Sequence, residues 1–152
     1  EEFLEANGAP KEIAFNSLYR DLVKYKPLVI GHFIEFDYHM INVEFTRINL
    51  QCVLKTLPLF CTMKASAPFV KNPGVELLKL NAFYETLFNE APKSFHNALA
   101  DAVNTAKIFF ELLKTGTITE DSIYQQDNNF EIIQPKSALN TARNFLNRLF
   151  SF

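Results

Sequence analysis

Two clusters in this sequence have the residue types and spacing that chemistry requires. The first is Leu28-Val29-Ile30-Gly31-His32-Phe33-Ile34-Glu35-Phe36-Asp37, an apolar run that stops at a glycine and delivers an aspartate to the opening of a helical pattern. In folds that alternate strands and helices, sites form at such strand ends. The second is Phe95-His96-Asn97-Ala98-Leu99-Ala100-Asp101-Ala102. His96 falls on a loop or first turn and Asp101 just over one turn further on, so both can project toward the same end of a sheet. Ala98, Ala100 and Ala102 permit close packing around them. Each cluster also has a plainer reading. Asp37 would cap backbone N–H groups and complement a helix dipole, and a histidine five residues ahead of an aspartate is common surface polarity.

The elements that must hold these side chains follow from hydrophobic period and turn signals. Asn7-Gly8-Ala9-Pro10 is a turn, and Ile13, Phe15, Leu18, Leu22 and Val23 recur at helical spacing over residues 11–26, ahead of Pro27. Leu28-Val29-Ile30 suits a buried strand of a parallel sheet. A helix over residues 36–50 and a second short strand over residues 57–62 come next, the latter weakened by Pro58 and so placed at an edge. Helical patterns then cover residues 74–88 and 95–113, with Gly116 ending the second. Strands alternating with helices predict an α/β sandwich. Residues 117–136 are polar and read as a linker or peripheral segment. Residues 137–152 form an amphipathic C-terminal helix with Leu139, Ala142, Phe145, Leu146, Leu149 and Phe150 on one side.

A chain of 152 residues with 48% hydrophobic content fits one globular domain that buries about two thirds of the surface its unfolded form exposes. Its sixteen phenylalanines and absent tryptophan argue for core packing before binding. A net charge of −2 excludes a protein that coats duplex nucleic acid through a broad basic face, but not one that grips a few terminal nucleotides. Cys52 and Cys61 have neither zinc-cluster spacing nor disulfide-scaffold density and read as reduced thiols. No apolar run approaches the roughly 20 residues of a membrane span, and the acidic start is unlike a signal peptide. The expectation is a cytoplasmic protein with no membrane partner.

Together the two clusters resemble the DEDDh exonucleases, the superfamily that includes the proofreading subunit of bacterial DNA polymerase III and oligoribonuclease. The likeness rests on the strand-then-helix aspartate, Gly31-His32 to Asp37, and on the His96-to-Asp101 motif with its alanines. It extends to Cys61-Thr62-Met63-Lys64, similar to the strand after the second motif in the polymerase III epsilon-like branch. Leu80, Tyr84, Leu87 and Phe88 ahead of His96 fit the same pattern, so the resemblance runs in order over residues 11–113. It implies a partial ribonuclease H-like exonuclease fold, an α/β arrangement with a truncated central sheet flanked by helices, of which residues 1–116 form the C-terminal portion of the exonuclease domain.

The resemblance further implies a two-metal 3′→5′ exonuclease acting on single-stranded DNA ends, with two divalent cations, Mg²⁺ or Mn²⁺, as cofactors. Asp37 and Asp101 would be two of four metal-site carboxylates and His96 the general base. Phe33 and His32 would contact substrate, a ring of Phe33 or Phe36 stacking on a terminal base, although core packing is the favoured role for Phe36. Implied partners are the 3′ end of a single-stranded nucleic acid and a polymerase subunit. RNA ends are the nearest alternative substrate. The rival from another class is a catalytically inactive ribonuclease H-like module that binds nucleic acid or a polymerase without cleaving.

Two departures stand out. The family's first motif, Asp-x-Glu on an opening strand, has no counterpart: Glu1, Glu2 and Glu5 lie in a polar, helix-like segment, and Glu35 lies in the same turn as Asp37. The expectation is therefore a piece of a longer protein, inactive by itself and prone to form a homodimer, because an isolated strand pair exposes its edges. Phe33 stands where the family commonly has an asparagine, which leaves metal binding intact but bears on a local hydrogen bond and on how the terminal nucleotide is held.

Overall fold

The computed structural model of the chain describes residues 8–94, 97–128 and 130, so the expected helix over 137–152 lies outside the described residues. The described residues form two compact units, one of residues 8–27, 38–57 and 130, the other of residues 28–37, 58–94 and 97–128.

In the first unit, α1 (Lys11–Tyr25) starts after Pro10 and ends at Lys26, which turns left-handed with φ 44° and donates its N–H to the Leu22 carbonyl. Pro27 cannot continue the helix, as the sequence predicts. Phe15 and Tyr19 meet Phe45 edge-on at 6.1 and 5.3 Å between ring centroids. Phe45 belongs to α2 (Ile34–Arg47) and is completely buried. Lys11 pairs with Glu44 at 3.0 Å, and Arg47 pairs with the same carboxylate. A short 3₁₀ turn, Val53–Thr56, buries Leu54.

The second unit is the mixed α/β part. Strands β1 (Val29–Gly31) and β2 (Leu59–Cys61) pair in parallel with Val29 opposite Leu59, Ile30 opposite Phe60 and Gly31 opposite Cys61. Pro58 sits just ahead of β2, where its carbonyl accepts the Val29 N–H. Helices α3 (Leu80–Phe88) and α4 (Ala98–Lys114) flank this sheet, and the six-residue α5 (Glu120–Gln125) lies against β2. Phe60, Phe83, Tyr84, Ile108, Phe109 and Leu112 form the core, and Phe60 meets Phe109 edge-on at 5.5 Å. Each such ring buries a large apolar area, so the aromatic composition serves packing here. This is the α/β arrangement, a two-stranded parallel sheet flanked by helices, that a partial ribonuclease H-like exonuclease fold has.

Three local outcomes differ from the sequence reading. The helix expected from residue 74 begins only at Leu80. Asn72 accepts the Gly74 N–H in an Asx turn, and Ser66 Oγ accepts the Leu78 N–H, so side chains take up backbone groups that a helix would have used. Residues 64–69 form a 3₁₀ segment, Lys64–Phe69, that the pattern did not signal.

The third difference concerns the polar stretch after Gly116. Ile118 and Ile123 join the core, and Thr119 and Ser122 close a capping box on α5. The Gln126 amide then lies along the outer edge of β2. It accepts the Cys61 N–H at 2.6 Å and donates to the Cys61 carbonyl at 3.1 Å, while Asn128 Nδ2 donates to the Leu59 carbonyl at 2.8 Å. Two side chains thus satisfy backbone groups that would otherwise invite a further strand.

Candidate active site

The first candidate aspartate is delivered by a tight junction at the end of β1. A Cβ on Gly31 would stand 3.0 Å from the Ile34 Cβ, so any larger residue would have to push aside Ile34, itself 2% exposed, and glycine suits this close approach. Phe33 makes the turn with φ 73°, a left-handed conformation that a bulky side chain rarely adopts. Its carbonyl accepts the Phe36 N–H at 3.0 Å as α2 begins. Asp37 therefore sits in the first turn of α2. Partial loss of water around it raises its carboxyl above the ordinary carboxylate value, and a bond from its own backbone N–H acts the other way.

His32, inside the same junction, is fastened on both sides. Its Nδ1 is 3.0 Å from Thr62 Oγ1 and its Nε2 is 3.1 Å from the Leu78 carbonyl. A carbonyl only accepts, so Nε2 carries the proton and Nδ1 accepts from the Thr62 hydroxyl. Burial lowers the imidazole to about 4, with the Leu78 bond opposing, and the ring is neutral at physiological pH. It ties the end of β1 to the end of β2 and to the chain entering α3.

The second junction is fastened differently. Asn97 caps α4, its side-chain oxygen accepting from Leu99 N and Ala100 N at 3.1 and 3.3 Å. Asp101 lies in the first turn, its N–H donating to the Asn97 carbonyl at 2.9 Å. Thr105 Oγ donates to the Asp101 carbonyl at 2.8 Å. Asn104, buried on the same helix, donates Nδ2 to the Ser94 carbonyl at 2.9 Å.

Both junctions open onto one cavity of about 520 Å³ within the second unit. Its walls include Asp37 and Asp101 together with Phe33, Phe36, Leu80 and Thr105, and His32 contributes to the lining as well. Four of the five sequence-derived candidates, Asp37, Asp101, His32 and Phe33, thus meet around one space. The fifth, His96, lies outside the described residues, as do Glu1, Glu2 and Glu5. Sequence reasoning did not single out Thr62, Ser66, Leu78 and Asn104. For Asn104 a signal existed, since an amide among the apolar positions of a helix needs a reason, but its partner could not be read from spacing.

Two carboxylates in one cavity suit hard divalent ions such as Mg²⁺ or Mn²⁺, which take oxygen ligands. Among the described residues no group of three or more His, Cys, Asp or Glu side chains could hold a metal ion. Asp37 and Asp101 therefore fit as part of an ion site and do not make a complete one. No helix among the described residues is long and apolar enough to cross a membrane.

A strand end and a helix start that bring acidic residues to one cavity define a candidate hydrolytic site on an α/β frame. A protein-family model, RNase_T, described as Exonuclease, matches residues 4–109, more than half of the chain, and spans both aspartates. The chain belongs to this exonuclease family. No curated protein and no solved structure matches it.

Proposed function

We propose that the chain contributes to a 3′→5′ exonuclease site of the DEDDh kind, with Asp37 and Asp101 supplying two of its metal-binding carboxylates. The observation that carries this reading is their convergence on one cavity of about 520 Å³, although 64 positions separate them in the sequence. The remaining donors come from outside the described residues. The chemistry that two divalent cations supply when bound is activation of the attacking water and stabilisation of the leaving 3′ oxygen.

The chain's own residues do the rest. His96, two residues ahead of α4 in the sequence, takes the proton of the attacking water as phosphorus is attacked. The P–O3′ bond breaks, the shortened strand keeps a 3′ hydroxyl, and the terminal nucleotide leaves as its 5′-monophosphate. Phe33 or Phe36 offers a ring against which the terminal base stacks, a sequence-tolerant contact worth about 1–3 kcal/mol. The substrate we favour is a single-stranded DNA end, on the polymerase III epsilon-like pattern around Cys61-Thr62-Met63-Lys64, with a polymerase subunit as partner and an RNA end as the nearest alternative. The two-carboxylate set among the described residues gives the second reading its footing, a module that binds nucleic acid without cleaving it.

The test is hydrolysis of a 5′-labelled single-stranded oligonucleotide by the full-length protein with Mg²⁺ or Mn²⁺. Stepwise shortening from the 3′ end, abolished by Asp101→Asn, is expected. Binding without shortening would establish the second reading in its place.

A further inference from the structure

Asn104 stands out because its position on α4 would favour an apolar residue. It is 6% exposed, on a helix that also buries Thr105, Ile108, Phe109 and Leu112. Asparagine is a weak helix former, and burying an amide costs free energy unless it is hydrogen-bonded. Its Nδ2 reaches ten positions back along the chain to the Ser94 carbonyl at 2.9 Å. Ser94 is exposed and lies outside any helix or strand, so the bond fastens a stretch of loop to the body of the helix.

That loop is the one leading to His96. Ser94 immediately precedes Phe95-His96, and Asn97 immediately follows, its own side chain holding Leu99 N and Ala100 N. The dipeptide carrying the histidine is thus bounded on both sides by asparagine fastenings to α4. Asp101 is on the same helix, three residues before Asn104, and its carbonyl is held by Thr105. We propose that Asn104 is a positioning residue for His96: by holding the Ser94 carbonyl, it anchors to the helix that carries Asp101 the chain that runs on, two residues later, to the histidine. This deepens the proposed function and rests on the reading of His96 as the proton acceptor.

Asn104→Asp keeps the size of the side chain and removes the donor, while Asn104→Leu replaces the amide with an apolar group that the helix core accepts. In the full-length protein, both are expected to lower kcat by about 10²-fold, the scale of a small misplacement of a reacting group, with KM for the oligonucleotide changed less than about twofold. The helix content stays as in the unsubstituted protein, and amide hydrogen exchange across residues 94–97 quickens. In a His96→Ala background, adding Asn104→Leu is expected to lower kcat no further, because the group it positions is gone.

A purely structural role would show the same additional loss in both backgrounds, and that result overturns the proposal. So does an unchanged kcat in Asn104→Asp and Asn104→Leu when His96→Ala by itself is slow. If His96→Ala retains full turnover, the reading of His96 itself has failed and the proposal falls with it, so the two failures are distinct.

Discussion

The junctions that carry Asp37 and Asp101 solve one problem by different means. The first, from Gly31 to Asp37, is held by close packing and backbone geometry: a glycine pressed onto buried Ile34, Phe33 in a left-handed conformation, and a neutral His32 clamped between Thr62 and Leu78. The second, from Ser94 to Asp101, is held by the side-chain amides of Asn97 and Asn104. Loosening the first disturbs the sheet end itself. Loosening the second costs only hydrogen bonds of about 1 kcal/mol each. The site thus combines a wall set by close packing, a left-handed turn and the bonds of one histidine with a wall fastened by asparagine amides. The residue proposed to move a proton is next in sequence to the latter.

The largest effect expected is on turnover. In the full-length protein, Asp37→Asn and Asp101→Asn should each remove nearly all hydrolysis, and the double variant should be no slower than either single one, because groups that act as a unit are not additive. Losses that multiply in the double variant would separate the two junctions into independent roles. His96→Ala should slow hydrolysis by about 10²–10⁴-fold, the usual worth of a general base.

Stability against pH comes next and singles out the packed junction. His32 has an ordinary unfolded value near 6.5 and about 4 when folded. Above pH 6.5 the ring is neutral in both states and costs nothing. As pH falls from 6.5 toward 4, the unfolded chain takes up the proton first, and about 3 kcal/mol of stability is lost. Urea denaturation over that range checks this, and His32→Leu should flatten the slope. Asp37 has the opposite sign: its raised value means that the folded state loses stability as pH rises through its titration. Asp37→Asn should therefore raise the unfolding midpoint modestly at neutral pH while abolishing turnover, as replacement of an active-site charge that desolvation disfavours does.

Smaller effects separate the two fastenings. Phe33→Asn places a residue that tolerates φ 73° in the turn, so folding should change little while KM for the strand rises by about tenfold, a contribution of the size one stacked base makes. An unchanged KM would remove the ring from the substrate contact. Asn97→Ala should cost about 1 kcal/mol of stability through the lost cap, readable as a shifted urea midpoint.

Much of this arrangement was legible in local pattern. The strand stopping at Gly31, Asp37 at a helix opening, Asp101 one turn into another helix and the ends of α1 and α4 all follow from residues near one another in sequence. What was hidden depends on distant partners. Thr62 and Leu78 lie 30 and 46 positions from His32, so the bonds by which this histidine holds three segments together could not be read from local spacing. Ser66, through Leu78, delays α3, and Gln126 and Asn128, polar enough to read as linker, cover the β2 edge. The left-handed turn at Phe33 was masked because phenylalanine carries no signal for it, whereas the asparagine common in the family would have.

The most direct test of the central claim, that the two junctions deliver their carboxylates to one divalent-ion site, is a Mn²⁺ titration of this chain followed by NMR. Because two carboxylates cannot hold a strongly hydrated ion tightly, binding should be weak, yet substoichiometric Mn²⁺ should broaden the amide signals of Gly31, Phe33, Ala98, Ala102 and Thr105 before others. Either Asp37→Asn or Asp101→Asn should abolish that selective broadening. Broadening centred elsewhere, or persisting unchanged in both variants, would contradict the account.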